Sequence, residues 1–129
     1  MKRLAIILSA LLVTNAAAAH HSFAVFFNTE DKAVKITGVV KDFQFSNPHG
    51  VITLVVLEGS ETTIWRAETN SPSILRRRGW TPDSIHVGDK VTLEGWPARD
   101  GSNYIRLRAA WQSDGQLIGQ PLVAPVVKP

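Results

Sequence analysis

Three of the four histidines in this 129-residue chain sit in two short motifs, His20 and His21 in HHSF and His49 in Asn47-Pro48-His49. Imidazole suits copper, zinc and nickel, and it is the commonest metal-ligating side chain. If the chain is processed so that His20 stands first, its α-amine and ring nitrogen can chelate one metal ion together. A second imidazole then completes a T-shaped Cu(II) site, and His49 is the candidate partner. If Ala19 stands first instead, the terminus reads Ala-His-His. An amine, two deprotonatable amides and the His21 imidazole then lie in one plane, a square-planar chelate for Cu(II) or Ni(II). His20, His21 and His49 are therefore the candidate metal ligands and copper the candidate cofactor. The plainer reading is that residues after a processing site are merely polar. Asn47-Pro48-His49 is also a good turn without any metal, because Asn caps its own backbone and Pro presets φ.

A second cluster could hold a ligand. Arg76, Arg77 and Arg78 precede Trp80 and could grip an anion, although cations in the last turn of a helix are also explained by the helix dipole. Asn47, His49, Arg77 and Trp80 are the candidate ligand-binding residues. Trp65 and Trp111 share alternation with apolar residues and are expected in the core, whereas Trp96, followed by Pro97 at a turn, is the ring expected to be exposed. Ser22 beside His21 and Ser46 near His49 are the only suggestive nucleophile and base pairs, and adjacency in sequence does not create the required geometry. Glu68 and Glu94 fall in different strands and could face each other, but such carboxylates are usually just exposed. No phosphate loop, dinucleotide fingerprint or His-Glu-x-x-His motif is present. These residues point away from an enzyme.

The chain opens with Lys2 and Arg3, an apolar run from Leu4 to Val13, a polar step and four alanines, the layout of a secretory signal peptide. The run is shorter than the roughly 20 residues that span a bilayer. Small residues at Ala17 and Ala19 suit cleavage before His20, and Ala16 and Ala18 suit cleavage before Ala19. The expected organisation is a signal peptide over 1–19, one domain over 20–119 and a proline-rich extended tail over 120–129. Loss of Lys2 and Arg3 lowers the formal net charge from +3 to +1, so the pI of 9.6 overstates how basic the product is. With no cysteine, an exported chain has no disulfide framework and folds by burial alone. Periplasmic or secreted location follows, and export argues against a nucleic-acid partner.

The elements that must position these residues read as short strands rich in Val, Ile, Thr and Trp, separated by Gly, Pro, Asn and Asp clusters. Ala33 to Phe45 places Val34, Ile36, Gly38 and Val40 on one face, and Gly38 suggests a bulge or bend. Val51 to Leu57 is apolar on both faces and predicts the most buried strand. Thr62 to Asn70, Lys90 to Trp96 and Asn103 to Trp111 predict three more, the last with Ile105, Leu107, Ala109 and Trp111 inward. The one convincing helix is SPSILRRR, with Ser71 as N-cap, Pro72 at the first position and Gly79 as the stop. Thr81 and Pro82 predict one further turn. Three strands, a helix and two strands is the order of a small OB-like five-stranded barrel, mainly β, with its helix between the third and fourth strands. An open sheet with one helix packed on it is the alternative.

The motifs HHSF, NPH, SPSILRRRGWTPDSIHVGD and ARDGSN, in that order over roughly His20 to Trp111, resemble an exported bacterial family of unknown function, DUF6152. The resemblance implies an exported OB-like domain and no particular activity. Two functions remain in view. One is a non-enzymatic binding protein that holds a small ligand or an envelope partner protein around the Asn47-Pro48-His49 loop. The other is a copper-handling protein that uses His20, His21 and His49. A third possibility is a module that stabilises an envelope complex, with the proline tail as tether.

Overall fold

The computed structural model describes residues 22–122. A short helix, α1 (Ser22–Phe26), precedes strands β1 (Val34–Gln44), β2 (Val51–Glu58) and β3 (Glu61–Glu68). Helix α2 (Pro72–Arg77) follows, then β4 (Lys90–Pro97) and β5 (Tyr104–Gln112). The strands close into a barrel in the order β1-β2-β3-β5-β4. The barrel and the helix between β3 and β4 are as the order of elements predicts. Among the described residues no helix is long and apolar enough to cross a membrane.

Closure depends on β1 and on one short seam. Residues 34–39 of β1 pair with β4 and residues 39–44 pair with β2, so one strand serves two neighbours. The bulge in β1 falls at Lys41, between the Val40 and Asp42 pairs, and not at Gly38. The seam is the parallel pairing of β3 with β5, only three register pairs long: Arg66 with Tyr104, Ala67 with Ile105 and Glu68 with Arg106. That register sets Glu68 and Arg106 side by side on the outside of the barrel.

Inward residues of alternate positions fill the barrel, with Ile52 and Leu54 of β2, Leu93 of β4 and Leu107 of β5 at 0–1 % exposure. β2 alternates between buried and half-buried positions and ends with Leu57 exposed, so it is buried on one face only. Helix α2 is too short to be stable alone, and Leu75 anchors it in the core. Pro72 takes the first turn and Gly79 (φ 79°) ends it as the sequence predicts. Ser71 is extended at the N-cap, but its hydroxyl meets Ser73 Oγ at 3.1 Å and does not cap the helix. The chain then turns Trp80 inward, with Trp80 N–H donating to the Leu75 carbonyl at 3.0 Å.

Two further segments are docked on the barrel. Phe27 is buried and bridges to Ala98, while Asn28 N–H donates to the Pro97 carbonyl and Arg99 N–H to that of Phe26. At the other terminus Ile118 and Leu122 are buried, and Leu122 N–H donates to the Arg108 carbonyl at 2.7 Å. The packed structure thus includes Gln120 to Leu122, past the expected boundary at 119. The rest of the proline-rich tail lies outside the described residues.

Candidate functional site

Where β2 begins and β3 and β4 end, the loops and α1 enclose a cleft of about 580 Å³. Phe23, Val25, Phe26 and Phe27 form its apolar wall, with His49, Glu68 and Tyr104 beside it and Ala98, Arg99 and Asp100 at the rim. Residues of HHSF, NPH and ARDGSN, far apart in sequence, therefore share one cleft.

The loop that carries His49 contains a cis peptide at Asn47-Pro48 and is stitched to the end of β3. Gly50 N–H donates to the Asn70 carbonyl at 3.3 Å and Thr69 N–H to that of Gly50 at 2.9 Å. A Cβ on Gly50 would stand 2.6 Å from Thr69 Oγ1 and 2.7 Å from the Gln44 carbonyl, so this close approach admits only glycine. His49 is held next to Glu68 as a result, with Nδ1 3.2 Å from Glu68 Oε1. The Phe23 ring lies against the imidazole at 5.5 Å between centroids, tilted by 54°.

Glu68 is the centre of a polar network. Tyr104 Oη donates to Glu68 Oε2 at 2.8 Å, and Arg106 Nη1 lies 3.3 Å from Glu68 Oε1. Arg106 also donates to the Thr69 carbonyl and, at 3.1 Å, to Asn70 Oδ1. It is only 5 % exposed, because Phe23 of α1 covers it with its ring face, 3.9 Å from the guanidinium carbon. Burial lowers the Arg106 pKa, and Glu68 and Tyr104 work against that shift. At the rim, hydrogen bonds from Ser102 hold the exposed Asp100 carboxyl below its usual range. Arg99 Nε donates to the Ala24 carbonyl at 2.7 Å and ties α1 to the β4–β5 loop.

Burial, followed by the hydrogen bond to Glu68, pushes the Tyr104 phenol from 10.0 up to about 12. Tyr104 is the only tyrosine in the chain, so the ultraviolet absorbance of phenolate reports on it alone. The folded protein is expected to titrate near 12, and a midpoint near 10 would show that the phenol is not held against Glu68. The raised folded value means that the neutral phenol's stabilisation is complete below about pH 10 and is lost as pH rises through about 12.

The structure brings only part of the sequence-predicted set together. His49 lines the cleft and is about one third exposed. Asn47 is exposed in the same loop and does not line the cleft. Arg77 is exposed on α2, its Nε bonded to the Ser73 carbonyl. Trp80 is 1 % exposed and packs edge to face with Phe43, so it cannot form a surface grip with Arg77. His20 and His21 lie outside the described residues. Glu68 and Glu94 do not face each other, since Glu94 sits between Lys35 and Arg108. Trp96 is half-buried under the Arg108 guanidinium at 4.8 Å. Sequence reasoning missed Phe23, Tyr104 and Arg106 as partners of one site. Alternation placed both β5 residues outside the barrel, which is correct, but nothing local signalled that α1 folds back over them.

The closed strand order, the helix between β3 and β4 and the loop-lined cleft define an OB-type β-barrel domain. The chain belongs to the family of unknown function DUF6152, whose model matches residues 8–113. No curated protein matches it.

Proposed function

We propose that this chain is an exported, non-enzymatic binding domain whose ligand occupies the cleft between α1, the Asn47-Pro48-His49 loop and the β4–β5 loop. The supporting observation is the convergence of those three segments on one cleft that is apolar on one wall and has a fixed polar set on the other, the usual composition of a small-molecule site. The polar groups are held before any ligand arrives, which lowers the ordering cost of binding. The test is a nitrogen-labelled processed chain titrated with a panel of small aromatic and aliphatic acids, amines and alcohols. Binders are expected to move the amides of residues 23–27, 49–50 and 98–104. Binders that move only α2 or the outer strand faces would overturn the reading.

A second reading, copper binding by His20, His21 and His49, is favoured by the contact of Phe23 with His49. His21 and His20 precede Phe23 by two and three residues, a reach of at most roughly 7–11 Å. Intact mass and terminal sequencing of the exported chain fix which residue stands first. The His20→Ala/His49→Ala double variant is then expected to lose tight Cu(II) binding, and unchanged affinity removes this reading.

A further inference from the structure

The polar wall of the cleft has its donors turned inward. Tyr104 Oη donates to Glu68 Oε2 at 2.8 Å. Arg106, covered by the Phe23 ring, donates to Glu68 Oε1, to the Thr69 carbonyl and to Asn70 Oδ1. His49 Nδ1 stands 3.2 Å from Glu68 Oε1. A carboxylate ionised beside an arginine only accepts hydrogen bonds. A lone pair on Nδ1 would be repelled there, so the neutral imidazole keeps its proton on that nitrogen and leaves its lone pair on Nε2, facing away from Glu68. The side chains of this wall, His49, Glu68 and Tyr104, therefore meet a ligand as acceptors.

Charge and polarity narrow the ligand further. Glu68 is offset by Arg106, and at the rim Asp100 stands next to Arg99, both exposed. Neither sign of charge is in excess. Opposite this wall, Val25 and Phe26 of α1 line the cleft and are each 65 % exposed. Large apolar side chains left in water at the lip of a cleft are stabilised when a ligand covers them. We infer that the ligand of this cleft is an uncharged molecule with an apolar body and a hydroxyl group, a phenol or an alcohol, whose O–H donates to His49 Nε2. This assignment rests on the cleft reading above and adds the ligand's chemical class and the atom that selects it. Glu68 is then a positioning residue, since it fixes which ring nitrogen faces the ligand. An ionised acid lacks the donor and is set against the Glu68 and Asp100 carboxylates. An ammonium has donors, but its charge would be desolvated against Val25 and Phe26 with Arg99 at the rim.

The test titrates the nitrogen-labelled, metal-free processed chain with four probes built on one ring: para-cresol, its methyl ether, para-toluate and para-methylbenzylammonium. The cleft, at about 580 Å³, is far larger than any of them, so the extra methyl of the ether is not excluded by size. Para-cresol is expected to move the amides of residues 23–27, 49–50 and 98–104. It is expected to bind about 2–10-fold more tightly than the ether, the span of one net hydrogen bond, and more tightly than both charged probes. In His49→Leu, which keeps a bulky apolar side chain, the preference over the ether is expected to fall toward unity while both compounds still bind. Equal binding of para-cresol and ether at the cleft amides overturns the inference and leaves the cleft reading standing. So does tighter binding of either charged probe, or a preference that survives in His49→Leu. If no probe moves the cleft amides, the cleft reading falls and the inference with it. Should His49→Leu fail to fold, long-range proton–nitrogen correlation of the wild-type His49 ring decides. A proton on Nδ1, with the Nε2 resonance moved by para-cresol and not by the ether, supports the inference, and a proton on Nε2 overturns it.

Discussion

Arg106→Ala is expected to lower folding stability by about 3–5 kcal/mol, the range for removing one partner of a buried ion pair. For a domain of this size that is a fall in melting temperature on the order of 15–30 °C. The guanidinium serves three acceptors at once, the Glu68 carboxylate, the Thr69 carbonyl and Asn70 Oδ1. Thr69 is fully buried, so its carbonyl has poor access to replacement water. Truncation strands these acceptors and removes the cation beneath Phe23, and the desolvation cost of each acceptor is then no longer offset. Arg106→Lys keeps the charge, but a single ammonium cannot reproduce a planar fork, so it is expected to recover less than half of the loss. The Glu68→Leu/Arg106→Met double variant is expected to be more stable than Arg106→Ala, because no unpaired buried charge remains. Thermal and denaturant unfolding measure all three. A loss below about 1 kcal/mol for Arg106→Ala, the scale of an exposed pair, would mean that solvent already shares the cluster and that α1 does not seal it.

The burial of Arg106 also marks where the sequence stopped being legible. Alternation along β5 correctly separates Ile105 and Leu107 from Tyr104 and Arg106, and hydrophobic periodicity sufficed for the strands, the helix and the barrel order. Periodicity describes a strand's two faces and carries no information about what later covers the outer one. Here the cover is α1, a five-residue helix with neither a charged first turn nor a charged last turn. Its position depends on long-range bonds such as Arg99 Nε to the Ala24 carbonyl, 75 residues apart. His49 was legible because its residue type is rare in this chain. Glu68 was legible only as a carboxylate, since its partners arrive through the β3–β5 register and the Gly50 contact.

A bulge in β5 produced a second departure. Between Leu107, which pairs with Gly95, and Ala109, which pairs with Glu94, β5 carries the extra residue Arg108. The alternation shifts there, so Ala110 points into the core and Trp111 moves outward, half-buried, with the Lys35 ammonium 4.7 Å over its ring. Counting from Ile105 in steps of two puts Trp111 inside, and only the extra residue reverses it. Trp80 failed in the opposite direction. Three arginines precede it, yet the left-handed Gly79 turns the chain back and buries the indole under Gly119.

Gly95→Ala is expected to cost about 3 kcal/mol, toward the top of the usual range for overpacking. A Cβ at this position would lie 2.4 Å from the Arg106 carbonyl oxygen, 2.9 Å from its carbon and 3.1 Å from Ile105 Cβ. Two of these atoms belong to the backbone of the neighbouring strand, so no rotamer change relieves the contact. The strands β4 and β5 must instead part by roughly 1 Å beside the bulge to restore ordinary van der Waals separation. That displacement moves Arg106, and through it Glu68 and the His49 support, so the variant couples barrel packing to the cleft. Gly59→Ala is the control. Its φ is 66° in open space, so an added methyl there incurs only the left-handed backbone penalty of about 1–2 kcal/mol. Denaturant midpoints at unchanged slope compare the two, and amide shifts at residues 49 and 106 are expected in Gly95→Ala alone. Equal costs with no shift at the cleft would show that β4 and β5 have slack at this point, and the close approach of Gly95 to Arg106 would no longer explain how these two strands hold their register beside the bulge.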